Sequence, residues 1–371
     1  MTRIAIAHDY LTQRGGAERV VLALARAFPG APIYTTFYDA DNTFPEFKDL
    51  DVRPSPANHW RWLRRNHRVA LPLLPFISAA IKIRADLVIV SSTGWAHGFR
   101  KTGESIVYCH SPARWIYQGD TYLGEDANRL VRIALAGLKP FLRWWDKRSA
   151  ARSGDYIANS TIVQTRIKHA YGKDALVVHA PQTVNARGES EPIEELDRWI
   201  GDDDYYLCVS RLLPYKNVQA IIGAVDDSPG RKLVVIGAGP DESRLRALAS
   251  ENVLFLKELS DGQMRTAYSR CRALIAASYE DFGLTPLEAA SYGRPSIVLR
   301  WGGFLDTMVE GVTAAFFDEP DSTEILQLIK HFEASTWDAV QIEIHADKFR
   351  ESAFADTIVR LVEAKQQIII R

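Results

Sequence analysis

The stretch Tyr279–Pro295, YEDFGLTPLEAASYGRP, decides how the second half of the chain folds. Ahead of it Ala273–Ala277 (ALIAA) is a short apolar run, and after it Ser296–Leu299 (SIVL) is another. Runs of this length bounded by turn residues read as buried strands of a parallel sheet. Between them Thr285 suits an N-cap and Pro286 the first helical position, where a missing N–H costs nothing. Gly293, with Pro295 two residues on, ends this helix after about two turns. The result is a strand-helix-strand unit, and ligands of such units gather outside the carboxyl ends of the strands. Glu280 stands just before the helix and Glu288 within it. Thr285-Pro-Leu-Glu288 also fits a capping box, in which Glu288 reaches back to the Thr285 N–H. Glu280 has no such structural reading.

The same alternation runs outward in both directions. Toward the carboxyl end, RWGGFLDTM places Gly302 and Gly303 at another helix start. Toward the amino end, helix Asp261–Arg270 follows strand Val253–Lys257, and strand Lys232–Ile236 leads into GAGPDESRL with Gly237 and Gly239. A GxG after a strand, lacking a third glycine, is a weak nucleotide-binding signal. Strand Tyr205–Val209 opens this half, and its loop SRLLPYKN carries Arg211 and Lys216. Cations there suit a diphosphate, Arg through a planar fork and Lys as a point charge, although each alone also reads as a solvated surface charge. Pro181–Asp204 is acidic and reads as an irregular interdomain linker.

In the first half, strand Arg3–Ala7 is followed by HDYLTQRGGAE as a loop and by helix Ala17–Phe28. Gly15 and Gly16 precede that helix, where bare N–H groups suit a phosphate or a hydroxyl, though a plain loop is the simpler reading. Further strands are expected at Pro32–Phe37, Asp86–Ser91, Ser105–Cys109, Asp155–Asn159 and Ala175–His179, with a helix at Ser160–Tyr171. His110 closes the third of these strands, at a carboxyl end. Phe349–Lys365 reads as a long amphipathic helix. The fold class is therefore α/β, with two Rossmann-like, doubly wound domains at 1–185 and 186–353. The C-terminal helix, 354–371, is placed to cross back onto the first domain.

The 371 residues are nearly half apolar and a quarter charged, with a net charge of −1, which gives no general pull toward nucleic acid. Cys109, Cys208 and Cys271 are far apart without metal spacing and read as buried thiols. MTRIAIAHDY enters a strand directly and reads as carrying no signal peptide, and no apolar run reaches spanning length. A cytoplasmic protein is expected. Two segments break the neutral pattern. Asn58–Arg84 carries Arg61, Arg64, Arg65 and Arg68 among aromatic residues, and Arg132–Arg152 sets Leu142, Trp144 and Trp145 among Lys139, Arg143, Lys147 and Arg148. Such segments fit peripheral contact with an anionic membrane, at the inner face of the plasma membrane, better than contact with nucleic acid. Solvated helices packed on their own domain are the alternative.

Taken together, GGAE at Gly15–Glu18, His110, SRLLPYKN, GAGP, the Glu280/Glu288 pair and Gly302-Gly303 resemble the family 4 retaining glycosyltransferases of the GT-B fold. The resemblance spans nearly the whole chain and is specific in its order and spacing. It implies two domains facing across a cleft and a nucleotide-sugar donor held by the second. On that resemblance Arg211 and Lys216 neutralise the diphosphate, and Glu288 binds the ribose. Glu280 holds the transferred sugar with the N–H groups of Phe282, Gly283 and Leu284. His110 contacts the sugar, Gly16 helps to close over the phosphates, and Gly15, Gly237, Gly239, Gly302 and Gly303 belong to the donor-binding loops. No cofactor and no metal is implied, because the two cations replace one, and attack is front-face, with Glu280 not the nucleophile. HDYLTQRGGAERV, HSPARWIY and SRLLPYKN most resemble GDP-mannose-dependent mannosyltransferases acting on lipid-linked or glycan acceptors in surface polysaccharide synthesis. SYGRPSI departs from the family's small-residue pattern, so Arg294 is a candidate to alter donor contacts. A nucleotide-sugar epimerase and a non-catalytic nucleotide-binding scaffold are the rival readings.

Overall fold

The computed structural model describes residues 2–65, 72–118, 129–184, 186–201, 203–227 and 230–370, apart from the side chains of 65, 129–136 and 368–370. Arg68 lies outside the described residues. The chain divides into two compact units, Met1–Pro181 with Glu351–Arg371, and Gln182–Arg350.

Unit 1 contains β1 (Ile4–Leu11), β2 (Ile33–Tyr38), β3 (Val52–Pro54), β4 (Lys82–Ile83), β5 (Leu87–Ser92), β6 (Arg100–Lys101), β7 (Glu104–Cys109), β8 (Asp155–Ala158) and β9 (Ala175–Val177). Seven of them form one parallel sheet in the order β3-β2-β1-β5-β7-β8-β9, while β4 and β6 pair separately. β5 is buried along its whole length, as expected of a strand with both faces covered. Ile6, Val88, Val90 and Val107 are among the residues fully withdrawn from water. At about 1.5–3 kcal/mol for each large aliphatic side chain, this interior is the main favourable contribution to the unit. The C-terminal helix Glu351–Ile370 packs Phe354, Ile358 and Val362 inward and contacts helix Gly16–Ala27. Phe354 meets Tyr108 edge-on, Glu351 pairs with Arg26 at 2.7 Å, and Lys365 with Asp155 at 2.8 Å.

β1 departs from the sequence reading, because HDYL continues the strand instead of opening a loop. His8 is flanked by Thr35 on one side and Ser91 on the other, so the ladder itself holds the polar residues in place. Asp9 is fully buried, and its carboxylate accepts from Thr93 Oγ1 at 2.8 Å and from the N–H groups of Trp95 and Ala96 at 2.7 and 2.5 Å. Those donors offset its desolvation.

Unit 2 contains β10 (Tyr206–Val209), β11 (Leu233–Ile236), β12 (Val253–Leu256), β13 (Ala273–Ala276), β14 (Ser296–Leu299) and β15 (Ala314–Phe317). Their order is β12-β11-β10-β13-β14-β15, again all parallel. The stretch expected to be an irregular linker holds helix Glu194–Ile200. Ile193, Leu196 and Ile200 form an apolar stripe at helical spacing and join the unit 2 core, while the acidic residues sit in the first turn, which the helix dipole favours.

Candidate active site

Both sheets reverse their strand order beside the first strand of the unit, and a ligand crevice belongs at that reversal. In unit 2 the reversal lies between β10 and β13, so the SRLLPYKN loop and the Ser278–Gly283 loop leave the sheet side by side. There Lys216 Nζ donates to Glu280 Oε1, which also accepts from Ser278 Oγ at 3.1 Å. The pair is largely buried, with Lys216 10% and Glu280 23% exposed. Asn217 holds the arrangement together. It adopts the left-handed conformation (φ 53°), which Asn tolerates better than most residues, and its side chain donates to the Ala277 carbonyl at 2.9 Å. Tyr215 lies against both cations, with the Lys216 ammonium 5.1 Å from its ring centroid and Arg211 Nη2 3.5 Å from its hydroxyl. Arg211 itself is exposed and forms no ion pair among the described residues.

The helix of the opening stretch runs from Leu284 to Ala290, with Gly283 at the N-cap in the left-handed region (φ 83°). It starts two residues earlier than expected. Pro286 is the third helical residue, still within the first turn where no N–H partner is lost. Thr285 is therefore not the cap, and the Thr285/Glu288 capping box does not form. Glu288 Oε2 instead accepts from the Tyr268 hydroxyl at 2.5 Å. A capping box of this type does form at Ser260 and Gln263, on helix Asp261–Arg270. A Cβ on Gly283 would lie 2.5 Å from the Phe304 ring, and one on Gly303 would lie 2.2 Å from Phe282 Cα. Phe282 is buried and Leu284 half-buried. The Gly303 N–H donates to the Glu280 carbonyl at 2.9 Å, so this loop braces the Glu280 backbone. Gly302 precedes it in the left-handed region, and the helix there is only Phe304–Thr307. Gly237 and Gly239 flank Ala238, whose carbonyl accepts from the Leu212 N–H at 3.0 Å, tying their loop to that of Arg211. Arg294 turns away to the Ser269 carbonyl. Cys208 and Cys271 are buried, and burial pushes both thiols up to about 12.

In unit 1 the reversal lies between β1 and β5. Three residues meet there. His8 Nδ1 lies 3.0 Å from the Ser91 carbonyl and 3.1 Å from Ser91 Oγ, and Ser91 Oγ lies 2.8 Å from His110 Nε2. Burial holds the His8 imidazole below its ordinary value against the opposing pull of Asp9. Burial, then His8 and Arg114, push His110 down to about 3. Gly15 is the N-cap of helix Gly16–Ala27, in extended conformation, and Gly16 is its first residue. Sequence reasoning finds His110 but misses His8, Ser91, Tyr215 and Tyr268. The extension of β1 through HDYL, which brings His8 beside Ser91, was the missing signal.

The basic segments resolve into buried and exposed faces. Leu63, Leu142 and Trp145 are buried, whereas Trp60, Trp62, Phe76 and Trp144 are more than half exposed. Arg64 pairs with Asp39 at 3.4 Å, and Arg148 lies over the Trp144 ring. Among the described residues no helix is long and apolar enough to cross a membrane.

Two sequence profiles match the chain, "Glycosyltransferase Family 4" over residues 14–185 and "Glycosyl transferases group 1" over residues 191–353. The human alpha-1,3/1,6-mannosyltransferase ALG2 is 25% identical, covering 94% of this chain and 92% of that protein. A GDP-mannose-dependent alpha-(1-6)-phosphatidylinositol monomannoside mannosyltransferase of Mycolicibacterium smegmatis is 27% identical over 44% of this chain and 48% of its own. Among solved structures, Anabaena HepE in complex with UDP and glucose superposes with a TM-score of 0.71 at 17% identity, covering 98% of this chain and all of that one. Thermosynechococcus elongatus sucrose-phosphate synthase gives 0.73 at 15% identity, covering both chains fully. With an amino-terminal family 4 domain, a carboxyl-terminal group 1 domain and two Rossmann-like sheets, the chain belongs to the glycosyltransferases of the GT-B fold.

Proposed function

We propose that this glycosyltransferase moves mannose from GDP-mannose to a lipid-linked or glycan acceptor in surface polysaccharide or glycolipid synthesis, with retention of configuration and without a metal ion. The observation that carries the reading is the Lys216–Glu280 pair at the strand reversal of unit 2. Loss of the sugar builds negative charge on the departing diphosphate, so a fixed cation there stabilises the transition state more than the bound donor. Lys216 is assigned to the diphosphate with Arg211 as the second cation, the pair taking the part a metal plays elsewhere. Transfer of Lys216 to the phosphate releases Glu280 to accept from hydroxyls of the sugar, with the N–H groups of Phe282, Gly283 and Leu284 beside it. Glu288, held by Tyr268, is assigned to the ribose. Gly15, Gly16, Gly237, Gly239, Gly302 and Gly303 shape the loops around the donor, and His110 is assigned to the transferred sugar.

The relatives' names support mannose and GDP. Exposed Trp60, Trp62, Phe76 and Trp144, together with Arg61 and Arg148, support peripheral contact with an anionic membrane on the cytoplasmic side. The test is transfer from radiolabelled GDP-mannose to a lipid-diphosphate-linked glycan in the presence of EDTA, with the anomeric configuration of the product read by NMR. Transfer that prefers GDP-mannose over UDP-sugars and gives an α-linked product supports the reading. Equal use of all donors, an inverted product or a strict requirement for added metal overturns the corresponding part.

A further inference from the structure

The polar trio of unit 1 has an internal direction. His8 Nδ1 faces two oxygens, the carbonyl and the hydroxyl of Ser91. A carbonyl only accepts, so the 3.0 Å contact requires a proton on His8 Nδ1. That N–H is shared between the Ser91 carbonyl and Oγ, which makes Oγ an acceptor toward His8. The Ser91 hydroxyl proton then has one partner among the described residues, His110 Nε2 at 2.8 Å. In the opposite arrangement, His110 Nε2–H would also donate to Oγ. Ser91 would receive two donors, and its own proton would be stranded in a site with no exposure to water. Leaving a buried donor unmade costs its full desolvation, whereas the first arrangement pairs the buried Ser91 proton and leaves only the Nδ1–H of the half-buried His110 ring without a protein partner.

We infer that Ser91, oriented by His8, fixes neutral His110 with its proton on Nδ1, so that His110 offers an N–H donor from Nδ1 while Nε2 is occupied. Among the described residues nothing hydrogen-bonds Nδ1, and His110 is only half-buried. The chemistry this donor serves is an uncharged acceptor oxygen, such as a sugar hydroxyl, or a phosphate oxygen. Ser91 and His8 are positioning residues, acting through His110. The neutral state at ordinary pH agrees with the burial of His8, the partial burial of His110 and Arg114 near it. The assignment of the proton stands on the hydrogen-bond geometry of unit 1. Its use in transfer rests on the proposed function.

The test is the pair of imidazole ¹⁵N shifts of His110 in the full chain labelled with ¹⁵N-histidine, assigned by comparison with His110→Gln. The expected result is a pyridine-type shift at Nε2 and a pyrrole-type shift at Nδ1, collapsing toward an averaged pair in Ser91→Ala. A pyrrole-type Nε2 in the wild type, or shifts unmoved by Ser91→Ala, overturns the inference. The wild-type measurement stands even where Ser91→Ala folds poorly, and Ser91→Cys provides a second variant of similar volume. Transfer activity gives the separate reading. His110→Asn, whose amide N–H mimics Nδ1–H, should retain about three- to tenfold more activity than His110→Gln, the worth of one hydrogen bond. A wild-type chain inactive with every sugar nucleotide would count against the proposed function and leave the ¹⁵N result unaffected.

Discussion

The two sheets reverse at equivalent places, yet they present opposite chemistries there. At the β10/β13 reversal the residues are charged and paired, Lys216 with Glu280. At the β1/β5 reversal they are His8, Ser91 and His110, whose imidazoles burial keeps neutral. Both arrangements satisfy their polar groups within the fold, but in different ways. An ion pair can be exchanged for a charged ligand, and on the proposed function a diphosphate takes the place of the carboxylate as the partner of the cation. A chain of neutral hydrogen bonds is directional and presents a fixed donor without adding charge. On the proposed roles, one topology supplies an electrostatic anchor in one unit and an oriented hydrogen-bond donor in the other.

The contrast can be broken most sharply at Glu280. Glu280→Gln keeps the shape and removes the charge, and transfer should fall by about 10²–10³ in kcat, the scale of one lost transition-state contact. GDP affinity, measured by calorimetry, should stay the same or tighten, since Lys216 no longer has a competing carboxylate. A parallel collapse of GDP affinity would show that Glu280 supports the diphosphate site and not the sugar. A smaller effect is expected at Tyr268→Phe, which removes the hydroxyl that holds Glu288. The KM for the donor should rise about three- to tenfold with kcat little changed, as for loss of one hydrogen bond to a positioning group. A fall in kcat alone would place Glu288 with the reacting centre.

The neutral character of the unit 1 trio has its own signature in stability. Unfolded histidine takes up a proton near its ordinary value of 6.5, whereas His110 in the fold waits until about 3. Between these values the unfolded state binds more protons, so stability is complete above about pH 6.5 and is lost as pH falls toward 3. By pH 4.5 the loss from His110 should reach about 2.7 kcal/mol, the size set by a two-unit interval. Urea unfolding at pH 7 and 4.5 should show His110→Asn losing less stability over this range than the wild type. An equal loss in both would mean that His110 is already protonated in the fold at pH 4.5.

Much of this was legible in the residues, and the failures share a cause. Uninterrupted runs such as ALIAA, SIVL and LVIVS announce buried parallel strands, because both faces of such a strand are covered and no alternation is needed. The cation loop and Glu280 were legible because each follows such a run. HDYL was not, since nothing local shows that Asp9 receives backbone N–H groups from residues more than eighty positions away. The helix Glu194–Ile200 was hidden by its acidic surface, with only the spacing of Ile193, Leu196 and Ile200 to reveal it. The start of the Leu284 helix depended on Gly283 entering the left-handed region, which moves the cap off Thr285 and gives Glu288 to Tyr268. Tertiary partners decided all three cases.

The central claim is that Lys216 at the β10/β13 reversal is the cation that stabilises the departing diphosphate. Single-turnover transfer from GDP-mannose by Lys216→Met, in a variant shown by thermal unfolding to be folded, tests it most directly. The account predicts a rate lower by about 10²–10³, in line with removal of one preorganised charge contact. Transfer at the wild-type rate would contradict it.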